Sequence, residues 1–273
     1  MATISKMIGT GSSWSSLYAN KSNQTAAQKN ISSLWSSYNS FSSNANNSLA
    51  GLSEIKSGVS SLMASYNSSK DTFYSEFDGA MEDLSSSAKN LKNYDFTDEK
   101  KDFSVETKTT TDKDGNKVET KTYSKDLQAA VDTVKNLVND YNVARKFLSD
   151  NSSISGRISS LAKNFSDTTY RASSYQSIGI SVGSNGGLSI DEDKLVSALT
   201  KNPSSVQNVL GKDGLAGKAE QHINFANSQR SELFPSANKM LGDQLKASEL
   251  YTGGTYAKIS ALNSVGNFFN LMT

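Results

Sequence analysis

The chain has 273 residues, with 28 basic against 27 acidic side chains, 36% hydrophobic residues, two Pro and no Cys. Near-balanced charge argues against nucleic acid or an anionic membrane surface as partner, since both favour a basic excess; the absence of Cys removes disulfides, thiolate chemistry and Cys-based zinc sites. A Ser- and Asn-rich chain supports an amphipathic stripe rather than a thick core, so the expected fold class is mainly α, an elongated coiled coil or helical bundle with a small β-hairpin and a short strand element.

The N-terminal segment, residues 1–28, is rich in Gly, Ser and Asn and reads as flexible by itself. It has no apolar h-region, so no cleavable signal peptide is expected, and no apolar run is long enough to span a membrane. A long coiled-coil helix is expected over 29–102. Its apolar positions, Ile31, Leu34, Tyr38, Phe41 and Ala45, then Leu52, Ile55, Val59, Leu62, Tyr66, Phe73, Phe77, Met81, Leu84, Ala88 and Leu91, recur at spacings of three and four. The pattern predicts about sixty helical residues. Ser48 and Ser69 fall at or near the seam, which marks a marginal helix completed by partners.

Residues 103–123 change character. FSVETKTTT and KVETKTY alternate around DKDGN, which predicts a hairpin whose Gly and Asn supply the turn and whose charges leave at most one face buried. Helical periodicity returns over 124–217 with Leu127, Val131, Val134, Val138, Tyr141 and Leu148, capped by Ser124 or Asp126. A loop over 151–156 precedes a predicted helix from Arg157 to Tyr175. The stretch IGISVGSNGGLSIDEDKLVSALTKNPSSVQNVLGKDGLAG then predicts a strand, a Gly-rich turn, a second strand, a helix with carboxylates in its first turn, a helix opened by Asn202-Pro203, and a flexible Gly-rich exit. Over 218–273, Ala219, Ile223, Ala226 and Leu233 form a stripe. Pro235 interrupts it, Met240, Leu241 and Leu245 resume it, and Tyr256, Ile259, Leu262, Val265 and Phe269 make a last short helix completing the stalk.

No constellation carries chemistry. Asp112-Lys-Asp114-Gly115-Asn116 has Gly at the fourth position of a calcium loop and Tyr123 at the twelfth, so a hairpin turn is the better reading. Gly211 to Lys218 has the wrong spacing for a phosphate loop, and Ala219 stands where Ser or Thr is required. His222, the single histidine, is expected to be solvated on a polar helix. Asp191, Glu192 and Asp193 are consecutive, point in different directions and suit a helix dipole better than acid–base work. Neither a cofactor, a metal site nor an enzyme activity is expected.

Residues from Leu127 to Gly217 resemble the C-terminal region of the flagellar filament-capping proteins, the hook-associated protein 2 family. The resemblance rests on VKNLVNDYN (Val134 to Asn142) and on the pattern from Gly179 to Leu199. It implies a minimal member: no SGLDT-like motif falls within residues 1–30, and the place of the family's large β-rich outer domains holds only the hairpin. It implies an extracellular structural protein of the bacterial flagellum, bundling through terminal helices with copies of itself and with flagellin or other axial proteins at a fibre tip. The self-assembly residues expected are Leu52, Ile55, Val59, Leu62, Ile259, Leu262, Phe268 and Phe269. The alternative is a surface adhesin presenting the 103–123 hairpin as its tip.

Overall fold

A computed structural model describes residues 26–45, 52–111, 117–168 and 171–240. Among them the chain is mainly α with two small antiparallel strand pairs. In order these are α1 (Ala26–Ala45), α2 (Leu52–Asn93), β1 (Val105–Thr111), β2 (Lys117–Tyr123), α3 (Lys125–Asp150), α4 (Gly156–Phe165), α5 (Ala172–Ser177), β3 (Ile180–Val182), β4 (Leu188–Ile190), α6 (Glu192–Lys201), α7 (Pro203–Leu210), α8 (Leu215–Ser228) and a 3₁₀ turn at Arg230–Glu232. The predicted sixty-residue helix is thus described as α1 and α2, with 46–51 outside the described residues. The hairpin turn at 112–116 and the predicted C-terminal helix also lie outside them. The chain divides into two compact units.

The larger unit holds 79–149 and 160–228. The C-terminal part of α2 contributes buried Met81, Leu84, Ala88 and Leu91, and α3 contributes Leu127, Val131, Val134, Val138, Tyr141 and Leu148. Both sets keep the three-four spacing that a helix needs to bury one stripe. Ser124 caps α3, its hydroxyl oxygen accepting from Leu127 N at 3.3 Å. β3 and β4 pair antiparallel, Ile180 with Ile190 and Val182 with Leu188, and bury Ile180 and Leu188.

Asn142 on α3 binds both main-chain groups of Leu188. Its Nδ2 donates to the Leu188 carbonyl at 2.7 Å, and its Oδ1 accepts the Leu188 N–H at 2.8 Å. One turn of sequence carries a second tie, because the neighbouring Tyr141 hydroxyl donates to the Phe165 carbonyl at 2.9 Å. In a continuing α-helix that carbonyl would accept the N–H four residues on. Its capture by Tyr141, with Ser166 N shared between the carbonyls of Ala162 and Lys163, ends α4 at Phe165. The single helix predicted from Arg157 to Tyr175 is therefore two helices.

Gly179 sits at φ +85, and a Cβ there would lie 2.6 Å from Leu195 N and 2.8 Å from the Asp191 carbonyl. The chain turns here from α5 into β3, close against the start of α6, with Asp191 N donating to the Gly179 carbonyl at 2.8 Å. The exit after α7 is a packed turn rather than a flexible connector. Gly211 and Gly214 are buried, Gly214 N donates to the Gly211 carbonyl at 3.0 Å, and Gly217 already lies within α8.

The smaller unit holds 22–78, 150–159 and 229–273, described over 26–45, 52–78, 150–159 and 229–240. Its core is an aromatic cluster in which Phe73 lies 6.3 Å from Phe77 and 5.5 Å from Phe234, and Tyr66 lies edge-on 5.7 Å from Phe234. Pro235 follows the 3₁₀ turn, and helical backbone restarts at 237.

Two substitutions test these junctions. Gly179→Ala should lower the free energy of unfolding by about 2 kcal/mol or more, from the left-handed strain and the main-chain clash together, read by denaturant melts. Asn142→Leu should cost about 2 kcal/mol by leaving two part-buried main-chain groups unpaired, and should speed amide exchange at Leu188.

Candidate assembly surfaces

The predicted seam divides by what covers it. Leu62, Tyr66, Phe73 and Phe77 are buried, so this stretch of α2 is already filled by the chain itself. Two segments of the same unit do the filling. From α1, Ala27 N donates to Glu76 Oε2 at 3.3 Å and Asn30 Nδ2 donates to Thr72 Oγ1 at 2.8 Å. From the segment after α8, Phe234 N donates to the Tyr74 hydroxyl at 3.4 Å, and the Tyr66 hydroxyl donates to the Pro235 carbonyl at 2.8 Å. Arg230 adds two hydrogen bonds to Asp78, both 2.6 Å, while its guanidinium covers the Tyr74 ring at 4.5 Å. In this unit α1 and the 229–240 segment cover the seam.

Glu76 is a carboxylate at 7% exposure. Burial pushes its pKa up, while the N–H groups at the start of α1, Ala27 and Ala26, pull it down. A carboxylate at a helix N-terminus also complements the dipole. Periodicity could not reveal this tie, because a Glu between seam positions looks like a solvated residue. Leu52, Ile55 and Val59 lie on the helical backbone of α2, but their side chains fall outside the described residues, as do Ile259, Leu262, Phe268 and Phe269 altogether.

The hairpin strands pair in a single register. Val105 pairs with Tyr123, Glu106 with Thr122, Thr107 with Lys121 and Lys108 with Thr120. Glu106, Thr107, Lys108 and Thr109 are all exposed. β2 is tied down near its end, where Lys121 meets Asp193 at 2.5 Å. The three consecutive acids separate as their spacing predicts. Asp191 caps α6 by accepting Lys194 N at 3.1 Å, Glu192 meets Lys135 at 2.5 Å, and Asp193 takes Lys121. Bonding from Lys194 holds the Asp191 carboxyl below the usual range.

His222 is not solvated as expected. Its ring centroid lies 5.0 Å from that of Phe165, and Nδ1 lies 3.4 Å from the Tyr141 hydroxyl oxygen. Its pKa falls to about 4, chiefly because burial penalises the charged ring, with Lys218 adding repulsion and Asp167 opposing it. A neutral ring against two aromatics is a packing element. Among the described residues no group of three or more His, Asp or Glu side chains is placed to hold a metal ion, and no helix is long and apolar enough to cross a membrane. A depression of about 550 Å³ in the smaller unit includes Ser155, Arg157, Glu232 and Lys239, but its Arg157 is engaged by Glu232 and Gln229.

Residues 147–262 match the family model for the C-terminus of flagellar hook-associated protein 2. No curated protein and no solved structure is significantly similar to the chain.

The depressed His222 pKa makes a pH prediction. Between pH 6.5 and 4 the unfolded chain binds a proton that the folded chain refuses, so stability falls as pH falls through this window. The His222-dependent part is on the order of 1–3 kcal/mol after allowing for solvent screening. His222→Phe should remove that slope, seen as a difference between the two proteins in urea-melt free energies that grows from pH 7 to pH 4.

Proposed function

We propose that this chain, whose residues 147–262 form a flagellar hook-associated protein 2 C-terminal region, is a structural protein of the bacterial flagellum that works by assembly rather than catalysis. In this reading it acts at the tip of the extracellular fibre in the manner of a filament cap. Helical ends bundle with copies of the chain and with flagellin or other axial subunits, and no bond is made or broken. The family match carries the reading. The aromatic clasp on α2 closes over Leu62 to Phe77 within the chain, so this reading puts the partner contacts outside that stretch. Leu52, Ile55 and Val59 are the contacts proposed there, with Ile259, Leu262, Phe268 and Phe269 from the C-terminal segment; Leu62, at 1% exposure, marks the inner end.

The exposed strand from Glu106 to Thr109 favours a second reading, a surface adhesin whose hairpin meets a ligand. Molar mass by light scattering across a concentration series separates the two. The full chain should form a closed ring of about five or six copies, and a chain lacking residues 1–30 and 255–273 should not. Deleting 103–123 should leave the ring intact. Monomers throughout, with loss of cell-surface binding on deleting the hairpin, would overturn the cap reading in favour of adhesion.

A further inference from the structure

The hairpin carries a regularity that its own fold does not use. The pentapeptide VETKT occurs twice, at 105–109 on β1 and at 118–122 on β2. Cross-strand pairs of opposite charge stabilise a sheet, and like charges directly opposite destabilise it. Within the hairpin, however, the register places Glu106 opposite Thr122 and Lys108 opposite Thr120, so each charge on β1 faces a Thr. Among the described residues, neither Glu106 nor Lys108 has an ion pair or side-chain hydrogen bond, and both are exposed.

The free edge of β1 has a definite polarity. Ser124 N donates to the Ser104 carbonyl at 3.1 Å, which makes 104–124 a hydrogen-bonded pair. Such pairs alternate along an antiparallel ladder. Residues 106 and 108 therefore spend their main-chain groups on β2, and Val105, Thr107 and Thr109 point theirs away from it. β1 and β2 form a two-stranded sheet, so among the described residues no strand meets that outer row. An isolated two-stranded hairpin is marginal in water, and an unpaired edge is a template for another strand.

We infer that the outer edge of β1 pairs with β1 of a second copy of this chain, antiparallel about a two-fold axis through Thr107. That register brings the outward main-chain groups of Val105, Thr107 and Thr109 against Thr109, Thr107 and Val105 of the other copy, for about six main-chain hydrogen bonds. It also places Glu106 opposite Lys108 of the other copy, twice. Both are non-hydrogen-bonded positions, where Cα atoms approach to about 4.5 Å and side chains lie closest. The register that the hairpin forgoes within one chain is thus the one that two chains satisfy, and the result is a four-stranded sheet. β1 is the edge chosen because Lys121 of the repeat on β2 is held by Asp193. This contact is two-fold and uses no terminal residue, so it stands apart from the ring of the previous subsection.

The test exploits the lack of cysteine, since any disulfide in a single-Cys variant joins two chains. Full-length Glu106→Cys and Lys108→Cys proteins are oxidised separately and as an equimolar mixture. The mixture should form covalent dimer about tenfold faster than either alone, because only the 106–108 pairing falls within disulfide reach. Equal rates would overturn the proposal. Sedimentation of cysteine-free chains to about 1 mM gives the second arm. Glu106→Lys should weaken hairpin-dependent dimerisation about tenfold by setting Lys against Lys, and adding Lys108→Glu should restore it. Failure of the double variant to recover would equally overturn the pairing. Loss of the ring on truncating the termini, with the 106–108 crosslink unchanged, would leave this inference intact while removing terminal assembly.

Discussion

Two adjacent side chains on α3 hold the larger unit in register. Asn142 takes up both main-chain groups of Leu188, and Tyr141 takes the last carbonyl of α4. An amide that satisfies a strand's N–H and C=O together acts as a substitute strand, so the short β3–β4 pair has its open edge completed by a helix. The same turn of α3 ties down the end of α4, and its Tyr141 and the Phe165 of α4 are the two rings beside His222. Further ties spread outward from this point. Lys135 reaches Glu192 on α6, Arg145 reaches the Asn185 carbonyl in the β3–β4 turn, and Thr168 reaches the Gly186 carbonyl. At Gly186 (φ +78) a Cβ would lie 2.6 Å from Ser166 Cα, so that turn packs against the end of α4.

In a chain so rich in Ser, many helix hydroxyls are satisfied by the chain's own backbone. Ser36, Ser65, Ser69, Thr133, Ser166 and Thr200 each donate to the carbonyl four residues earlier. Ser69 is fully buried on the seam and is satisfied in this way, which removes the cost of an unpaired hydroxyl in an apolar stripe. Ser87, also on α2, instead donates to Asp140 of α3; burial raises the Asp140 carboxyl while this bond lowers it. Polar residues that looked like weaknesses of a coiled coil are thus paired, some locally and some across the helix interface.

For the proposed function, what matters is which surfaces the fold uses up. The aromatic clasp consumes the middle of the α2 seam, and the acids at the start of α6 are consumed by α3 and β2. Among the described residues no strand pairs with the outer row of β1. Surfaces with complementary charges and unpaired main-chain groups favour binding.

Sequence by itself determined the helical stripes, the hairpin strands, the two short strands and the cap at Asn202. Each depends on neighbours within a few residues: three-four spacing, alternation, an Asx side chain before a helix, Pro at its first position. Only the tertiary structure decided where α4 ends, because the Tyr141 hydroxyl arrives from 24 residues away. It likewise decided that His222 is neutral between aromatic rings, and that Glu76 serves the start of α1 from 49 residues away. The Gly211–Gly217 turn looked flexible because glycine permits freedom, yet buried neighbours remove that freedom, and composition carries no record of neighbours. The hairpin shows the same division. Its strands were legible from alternation, but the one-residue offset that leaves Glu106 and Lys108 facing Thr exists only in the pairing register, which a long-range ladder fixes.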